Sequence, residues 1–156
     1  MTTVDTRTGL EWIDGDECLQ LLASDVVGRL AVVHGHTPAI FPVNYVMDGG
    51  DIVFRTDPGT KLDAAERATA CFEIDGIDRV SRAGWSVVAT GRLEEVTPYD
   101  TRTWRRVHTL AVEPWAGGAK NHWMRLIPER IAGRRVHGRE GPRTNGSSNP
   151  ASSSPQ

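Results

Sequence analysis

The stretch GRLAVVHGHTPAIFPVNYVMDGGDIVFR, Gly28 to Arg55, decides the fold class. It holds three strand-like runs, Gly28 to Val33, Ala39 to Met47 and Asp51 to Arg55, each rich in β-branched and aromatic residues. Between them stand two clusters of turn formers, His34-Gly35-His36-Thr37-Pro38 and Asp48-Gly49-Gly50-Asp51. Both are short enough to be hairpin connections, and the second has strong turn chemistry. Three antiparallel strands in a meander follow.

Working outward, Asp14 caps a helix on the N-terminal side. Glu17 stands three residues on, as a capping box requires, and Ile13 sits where a hydrophobic staple starts. Cys18, Leu19, Leu21 and Leu22 supply its apolar face, and it should end near Ser24. On the C-terminal side, Pro58-Gly59-Thr60 leads into a short Ala-rich helix, Lys61 to Thr69. Ala70 to Asp75 and Trp85 to Val96 read as two more strands, the second alternating Val87, Ala89 and Leu93 against Ser86, Thr90 and Arg92. Pro98 starts a third helix reaching about Leu110. Glu113 to Asn121 is a Gly-containing loop, and Trp123 to Ile131 is a sixth strand. Six short strands with helices that do not alternate between them predict a mainly β fold, a closed antiparallel barrel with a few short peripheral helices. The expected organisation is a flexible N-terminus over 1–10, a barrel domain over 11–137 and a disordered tail over 138–156. That tail is Gly, Pro, Ser and Asn with almost no apolar residue.

The chain of 156 residues is 38% hydrophobic and 24% charged, the balance of one globular domain. No apolar run approaches the roughly 20 residues that span a bilayer, and Met1 to Leu10 lacks the layout of a signal peptide. No membrane association is expected. Net charge is −2, which gives no electrostatic case for nucleic acid. Cys18 and Cys71 each lie in an apolar stretch, so buried reduced thiols and a cytoplasmic location are expected. Of 18 basic residues only Lys61 and Lys120 are lysines. Such a bias is a mark of GC-rich bacterial codons, and it makes the two lysines worth following.

Four segments can carry chemistry. Arg55-Thr56-Asp57-Pro58-Gly59-Thr60-Lys61 runs from a strand end through a tight turn to a helix start capped by Thr60. Unsatisfied amides and partial positive charge there favour an anion; Arg55 adds a planar fork, Thr56 and Thr60 hydroxyls, and Lys61 a point charge. The same spacing also fits an ordinary capped turn. Phe41-Pro42-Val43-Asn44-Tyr45 puts a proline inside a strand, which predicts an interruption or bulge with backbone groups free to meet a polar ring, or one that only curves the barrel. Gly84-Trp85-Ser86-Val87-Val88 sets an aromatic face beside a hydroxyl, although a lone Trp is as readily a core residue. Trp115 to Arg125 is a glycine-bearing loop between tryptophans, in which Lys120, His122 and Arg125 are candidate substrate contacts. Its alternative is an exposed loop with Arg125 at the barrel rim. His34 and His36 have no third ligand at useful spacing, so no metal is expected. No Ser-His-Asp or Cys nucleophile can be assembled, so hydrolysis has no support.

Together these residues resemble the pyridoxamine 5′-phosphate oxidase-like family, the FMN-binding split barrels. The resemblance runs from Glu17 to Val136 and is carried by Gly28-Arg29-Leu30, Pro42-Val43-Asn44, Arg55-Thr56 with Gly59-Thr60-Lys61, Gly84-Trp85-Ser86-Val87, and Trp123-Met124-Arg125-Leu126-Ile127-Pro128. It implies a six-stranded antiparallel split β-barrel, a homodimer with two flavin sites at its interface. Arg55, Thr56, Thr60 and Lys61 would hold the cofactor phosphate. The Pro42-Val43-Asn44 backbone would run along the isoalloxazine, and Trp85 and Ser86 would approach the same site from one subunit or the other. The closer likeness is to the bacterial branch of small flavin or deazaflavin reductases. The implied activity is that of an FMN-dependent oxidoreductase moving a hydride or electrons between a reduced nicotinamide and a small-molecule substrate. The same fold also carries deazaflavin (factor 420) reductases. A non-catalytic flavin or haem binder, with His34 or His36 on haem, is the third reading.

Overall fold

The computed structural model describes residues 4–5, 7–59 and 68–138. Eight strands and two helices follow in the order β1 (Val4–Asp5), β2 (Leu10–Ile13), α1 (Gly15–Ser24), β3 (Val27–His34), β4 (Thr37–Asp48), β5 (Asp51–Thr56), β6 (Thr69–Asp78), β7 (Ala83–Val96), α2 (Thr101–Val107) and β8 (His122–Val136). All pairings are antiparallel. The sheet order is β1-β2-β8-β5-β4-β3-β6-β7, and a further β7–β8 pairing closes β3 to β8 into a six-stranded ring. The ring is split because β8 changes neighbours along its length. Residues His122 to Leu126 pair β5, whereas Gly133 to Val136 pair β2.

The meander and α1 form as the sequence predicts. Asp14 caps α1, its Oδ1 accepting from the Glu17 amide at 2.9 Å. The return half of the box is absent, because the Glu17 carboxylate takes Arg135 at 2.6 Å instead. Inside the barrel, alternate residues such as Leu30, Phe54, Phe72, Val87 and Met124 are fully buried, and α1 closes one end with Cys18 and Leu22. The Tyr45 hydroxyl donates to the Leu22 carbonyl at 2.5 Å, and its ring meets Phe72 edge-on at 4.7 Å. Burial, with Asp25 nearby, pushes that phenol above its ordinary range. Gly28 is required by the same packing, since a Cβ there would lie 2.1 Å from the Phe72 ring. A second, smaller cluster of Val53, Val96, Val107, Val112 and Trp123 sits outside the barrel under α2.

Several sequence expectations are corrected. Pro42 neither interrupts nor bulges β4, which pairs with β3 in unbroken register from Thr37 to Asn44. The reason is that β5 joins β4 only at Tyr45, so on its other edge β4 has no strand beside Pro42 among the described residues and no ladder bond is lost there. Within the stretch 1–10, Val4–Asp5 is β1 and Leu10 opens β2. The later strands are longer than periodicity suggests: β6 starts at Thr69, which was expected in a helix, and β8 runs on to Val136. The third helix is only Thr101–Val107, capped by Asp100, whose carboxylate accepts from the Thr103 amide. Cys18 is buried but Cys71 is only half-buried, beside Thr90 on the outer face; both are free thiols. The rest of the expected Lys61–Thr69 helix and residues 139–156 of the expected tail lie outside the described residues. No helix among the described residues is long and apolar enough to cross a membrane.

Candidate functional site

Strand alternation sets the geometry. On β5, Ile52, Phe54 and Thr56 turn into the barrel, while Val53 and Arg55 turn outward under the loop that follows α2. Arg55 Nε donates to the Lys120 carbonyl at 3.0 Å and Nη1 to the Val112 carbonyl at 3.4 Å. Its guanidinium lies 5.2 Å from the centre of the Trp123 ring, which continues as a stack through His108 to Trp104. Two of the five guanidinium donors are thus used, and the other three have no protein partner among the described residues. Thr56 is 3% exposed, and its hydroxyl donates to the Asp57 carbonyl.

The same loop is tied down twice more. Asn44 accepts from the Trp115 amide at 2.8 Å and donates to the Val26 carbonyl. Asp57 accepts from the Lys120 amide at 2.8 Å and from Lys120 Nζ at 2.5 Å. Residues 110–121 therefore form a strap fastened over β4 and β5 by Asn44, Arg55 and Asp57. The strap needs two unusual backbone positions: Lys120 has φ +41°, and Gly118 has φ +114° with Asp57 Oδ2 2.7 Å from where a Cβ would stand. Asp57 is the residue that reading the sequence missed. It was taken only as part of a turn, and nothing local links it to a lysine 63 positions on.

Hydrogen bonds from Lys120 hold the Asp57 carboxyl below its ordinary value of 3.8. A depressed carboxyl contributes stability in full above its unfolded value, and that contribution is lost as the pH falls through the folded value. Trp115, 75% exposed on the strap, reports on it. Acidification below about pH 4 is expected to change tryptophan fluorescence in the parent and to leave Asp57→Asn, whose strap is already loosened, without that step. An identical step in both proteins would show that Asp57 does not hold the strap.

Pro42, Val43 and Asn44 lie just before Tyr45, where β4 begins to pair β5 opposite Phe54, and so fall at the same end of that strand pair as Arg55 and Thr56. Thr60 and Lys61 lie outside the described residues. Trp85 and Ser86 stand elsewhere, paired with Arg135 and Arg134 near the far end of β8, whereas Arg55 and Thr56 pair with Trp123 and His122 at its start. An extended strand rises about 3.3 Å per residue, so the path along β8 from His122 to Arg134 is roughly 40 Å. The Trp85 indole lies across Gly76 of β6, where a Cβ would be 2.6 Å from its Nε1. The three expected substrate contacts each hold a carboxylate. Lys120 pairs with Asp57, His122 Nδ1 lies 2.7 Å from Glu95, and Arg125 reaches Glu94 at 3.1 Å and Asp51 at 3.6 Å. Arg125 lies apart from the other two, in a cleft of about 530 Å³ between the β4–β5 hairpin and α2. Burial pushes the Asp51 carboxyl there upward, against the pull of Arg125.

Residues 14–135 match the pyridoxamine 5′-phosphate oxidase family. The chain belongs to that family. A Mycobacterium tuberculosis protein of uncharacterised function is 34% identical over 131 residues, 80% of this chain and 84% of its own. The FAD binding protein from Mycobacterium smegmatis is 33% identical, with 81% of this chain and 97% of that one covered at a TM-score of 0.69. A FAD-binding protein from Mesorhizobium loti shares the fold at 23% identity and a TM-score of 0.67, over 81% of this chain and 98% of its own. Within this family the chain has the split barrel, and the motif-bearing segments fall at two separate places on it.

Proposed function

We propose that the chain binds a flavin, FMN, and acts as a flavin-dependent oxidoreductase on a small organic molecule, with electrons drawn from a reduced nicotinamide. One observation supports this most. The edge of β4 at Pro42 to Asn44 has no strand beyond it among the described residues, and three guanidinium donors of Arg55, on the neighbouring strand β5, have no protein partner among those residues. An open backbone edge suits the alternating donors and acceptors of a flavin's pyrimidine ring, and a guanidinium fork suits a phosphate. The donor set therefore fits the group. The family membership and the flavin bound by the Mycobacterium smegmatis neighbour point the same way.

When bound, the flavin supplies the redox chemistry; the chain positions it and excludes water. Arg55, with Thr60 and Lys61 from the adjoining sequence, holds the phosphate, whereas the Thr56 side chain, expected there from the sequence, is turned into the barrel with its hydroxyl on the Asp57 carbonyl. The Pro42-Val43-Asn44 backbone orients the ring. Trp85 and Ser86 stand at the other end of β8 from Arg55 and Thr56, so in this reading they come from a second copy, and the working unit is a homodimer. Lys120, His122 and Arg125 already hold Asp57, Glu95 and Glu94, so a substrate would meet them through their remaining donors or after those contacts open.

Titration of the purified chain with FMN, FAD and the deazaflavin factor 420, followed by fluorescence, tests the reading. Saturable FMN binding is expected, weakened roughly ten- to hundredfold in Lys61→Ala, the worth of a charge-assisted bond. Tighter binding of the deazaflavin would replace FMN with its relative. Binding of none of the three would end the proposal.

A further inference from the structure

Two of the strap's fastenings meet at Lys120. Its amide and its Nζ both donate to Asp57, and its carbonyl accepts from Arg55 Nε. A single residue thus has the carboxylate on one side and the guanidinium on the other. Lys120 is held in an unfavourable shape to do so, with φ at +41°, in the left-handed region that residues other than glycine avoid. Strain of that kind persists only where the surroundings enforce it, and it marks places where position matters. The Lys120 side chain is 19% exposed, low for a lysine on a loop, so the pair with Asp57 is more than a chance surface contact.

This clasp governs where the Arg55 fork points. A free arginine samples many rotamers, and ordering it is part of the cost of any ion it binds. Here Nε sits on the Lys120 carbonyl, Nη1 on the Val112 carbonyl, and the guanidinium lies over the Trp123 ring. The donors left over, which have no partner among the described residues, are therefore fixed in direction before an anion arrives. The Lys120 carbonyl keeps its place because Asp57 grips the amide and the ammonium of the same residue.

We infer that Asp57 and Lys120 are positioning residues, whose clasp acts through the Lys120 carbonyl to aim the Arg55 guanidinium at the phosphate, a role that rests on Arg55 being the phosphate contact. Neither side chain has to touch the ligand. Anion binding and clasping then strengthen each other, because a coupling between two equilibria is reciprocal. The sign of one substitution separates aiming from plain electrostatics. Asp57 is a carboxylate close to the site of an anion, so on charge alone its removal tightens binding. Asp57→Asn is expected to weaken it instead, since the new amide nitrogen would face the Lys120 ammonium and release the clasp. The loss should be about three- to tenfold, the worth of one long side chain left unordered.

Isothermal titration calorimetry of the full chain at constant ionic strength, with FMN and with sulfate as probes, tests this. Gly118→Ala is a second clasp variant that alters no charge: Gly118 has φ +114°, and a Cβ there would lie 2.7 Å from Asp57 Oδ2. It should weaken binding in the same direction. Gly117→Ala, in the same strap with nothing within 4 Å, should bind as the parent does. In an Arg55→Ala background Asp57→Asn should no longer weaken binding, because no fork is left to aim; a general loss of folding would show in both backgrounds. Equal or tighter FMN binding by either clasp variant, or the same loss with and without Arg55, overturns the positioning role and leaves the flavin reading standing. Sulfate binding that Asp57→Asn weakens, in a chain that binds no FMN, upholds the positioning role and overturns only the flavin. Binding of neither probe overturns both.

Discussion

Arg55→Ala is expected to weaken flavin binding ten- to hundredfold and to lower the stability of the ligand-free protein as well. The two effects have separate causes. Loss of a charge-assisted bond to phosphate is worth about 1.5–3 kcal/mol. The stability loss arises because Arg55 also donates to the Lys120 and Val112 carbonyls and covers Trp123. With the fork removed, the strap keeps only Asn44 and Asp57, and the ligand-free chain should lose roughly 1–2 kcal/mol. Arg55→Lys separates the roles. A lysine keeps the positive charge but cannot reach two carbonyls and lie flat on an indole, so it should recover part of the flavin affinity and little of the stability. Thermal melts without ligand, set beside flavin titrations, read both. An alanine variant that melts and binds as the parent does would remove Arg55 from the site and from the strap.

Gly91→Ala should be the most damaging single methyl in the barrel. At this point β7 and β8 slip register, Thr90 facing Arg130 and Gly91 facing Pro128, so that Glu129 is left over. The backbones close in so far that a Cβ on Gly91 would stand 1.9 Å from the Ile127 carbonyl oxygen and 2.8 Å from the Pro128 Cα. All its nearest neighbours are backbone, and no rotamer change can make room. Overpacking in a core generally costs about 1–3 kcal/mol, and this substitution should reach or pass the top of that range, a large part of a domain's usual 5–15 kcal/mol. Urea unfolding measures it. Gly117→Ala is the control, because nothing lies within 4 Å of that position, and it should stay within about 0.5 kcal/mol of the parent. Equal midpoints for the two variants would mean that the bulge relaxes freely.

What was legible in the sequence was local. Asp14 and Glu17 announced α1 because a cap and the amide it accepts from lie three residues apart. The β3–β4–β5 meander was legible because its turns and its alternation fit within one stretch. Pro42 misled because its effect depends on whether a neighbour strand stands on that side, and this is settled by where β5 begins to pair. The extension of β8 through Arg134-Arg135-Val136 has no apolar alternation to reveal it. Its partner on one side is β2, more than a hundred positions away in the chain.

The sequence by itself determined the class of the fold, since turn chemistry, caps and period-two burial all act between near neighbours. Only the tertiary structure decided that Arg55 and Asp57 fasten a strap, through contacts 57 to 65 residues apart. It also decided that Trp85 and Ser86 stand at the opposite end of β8 from Arg55. Both facts depend on strand register between distant segments. Register follows from how a whole face packs, and no short window of sequence carries it.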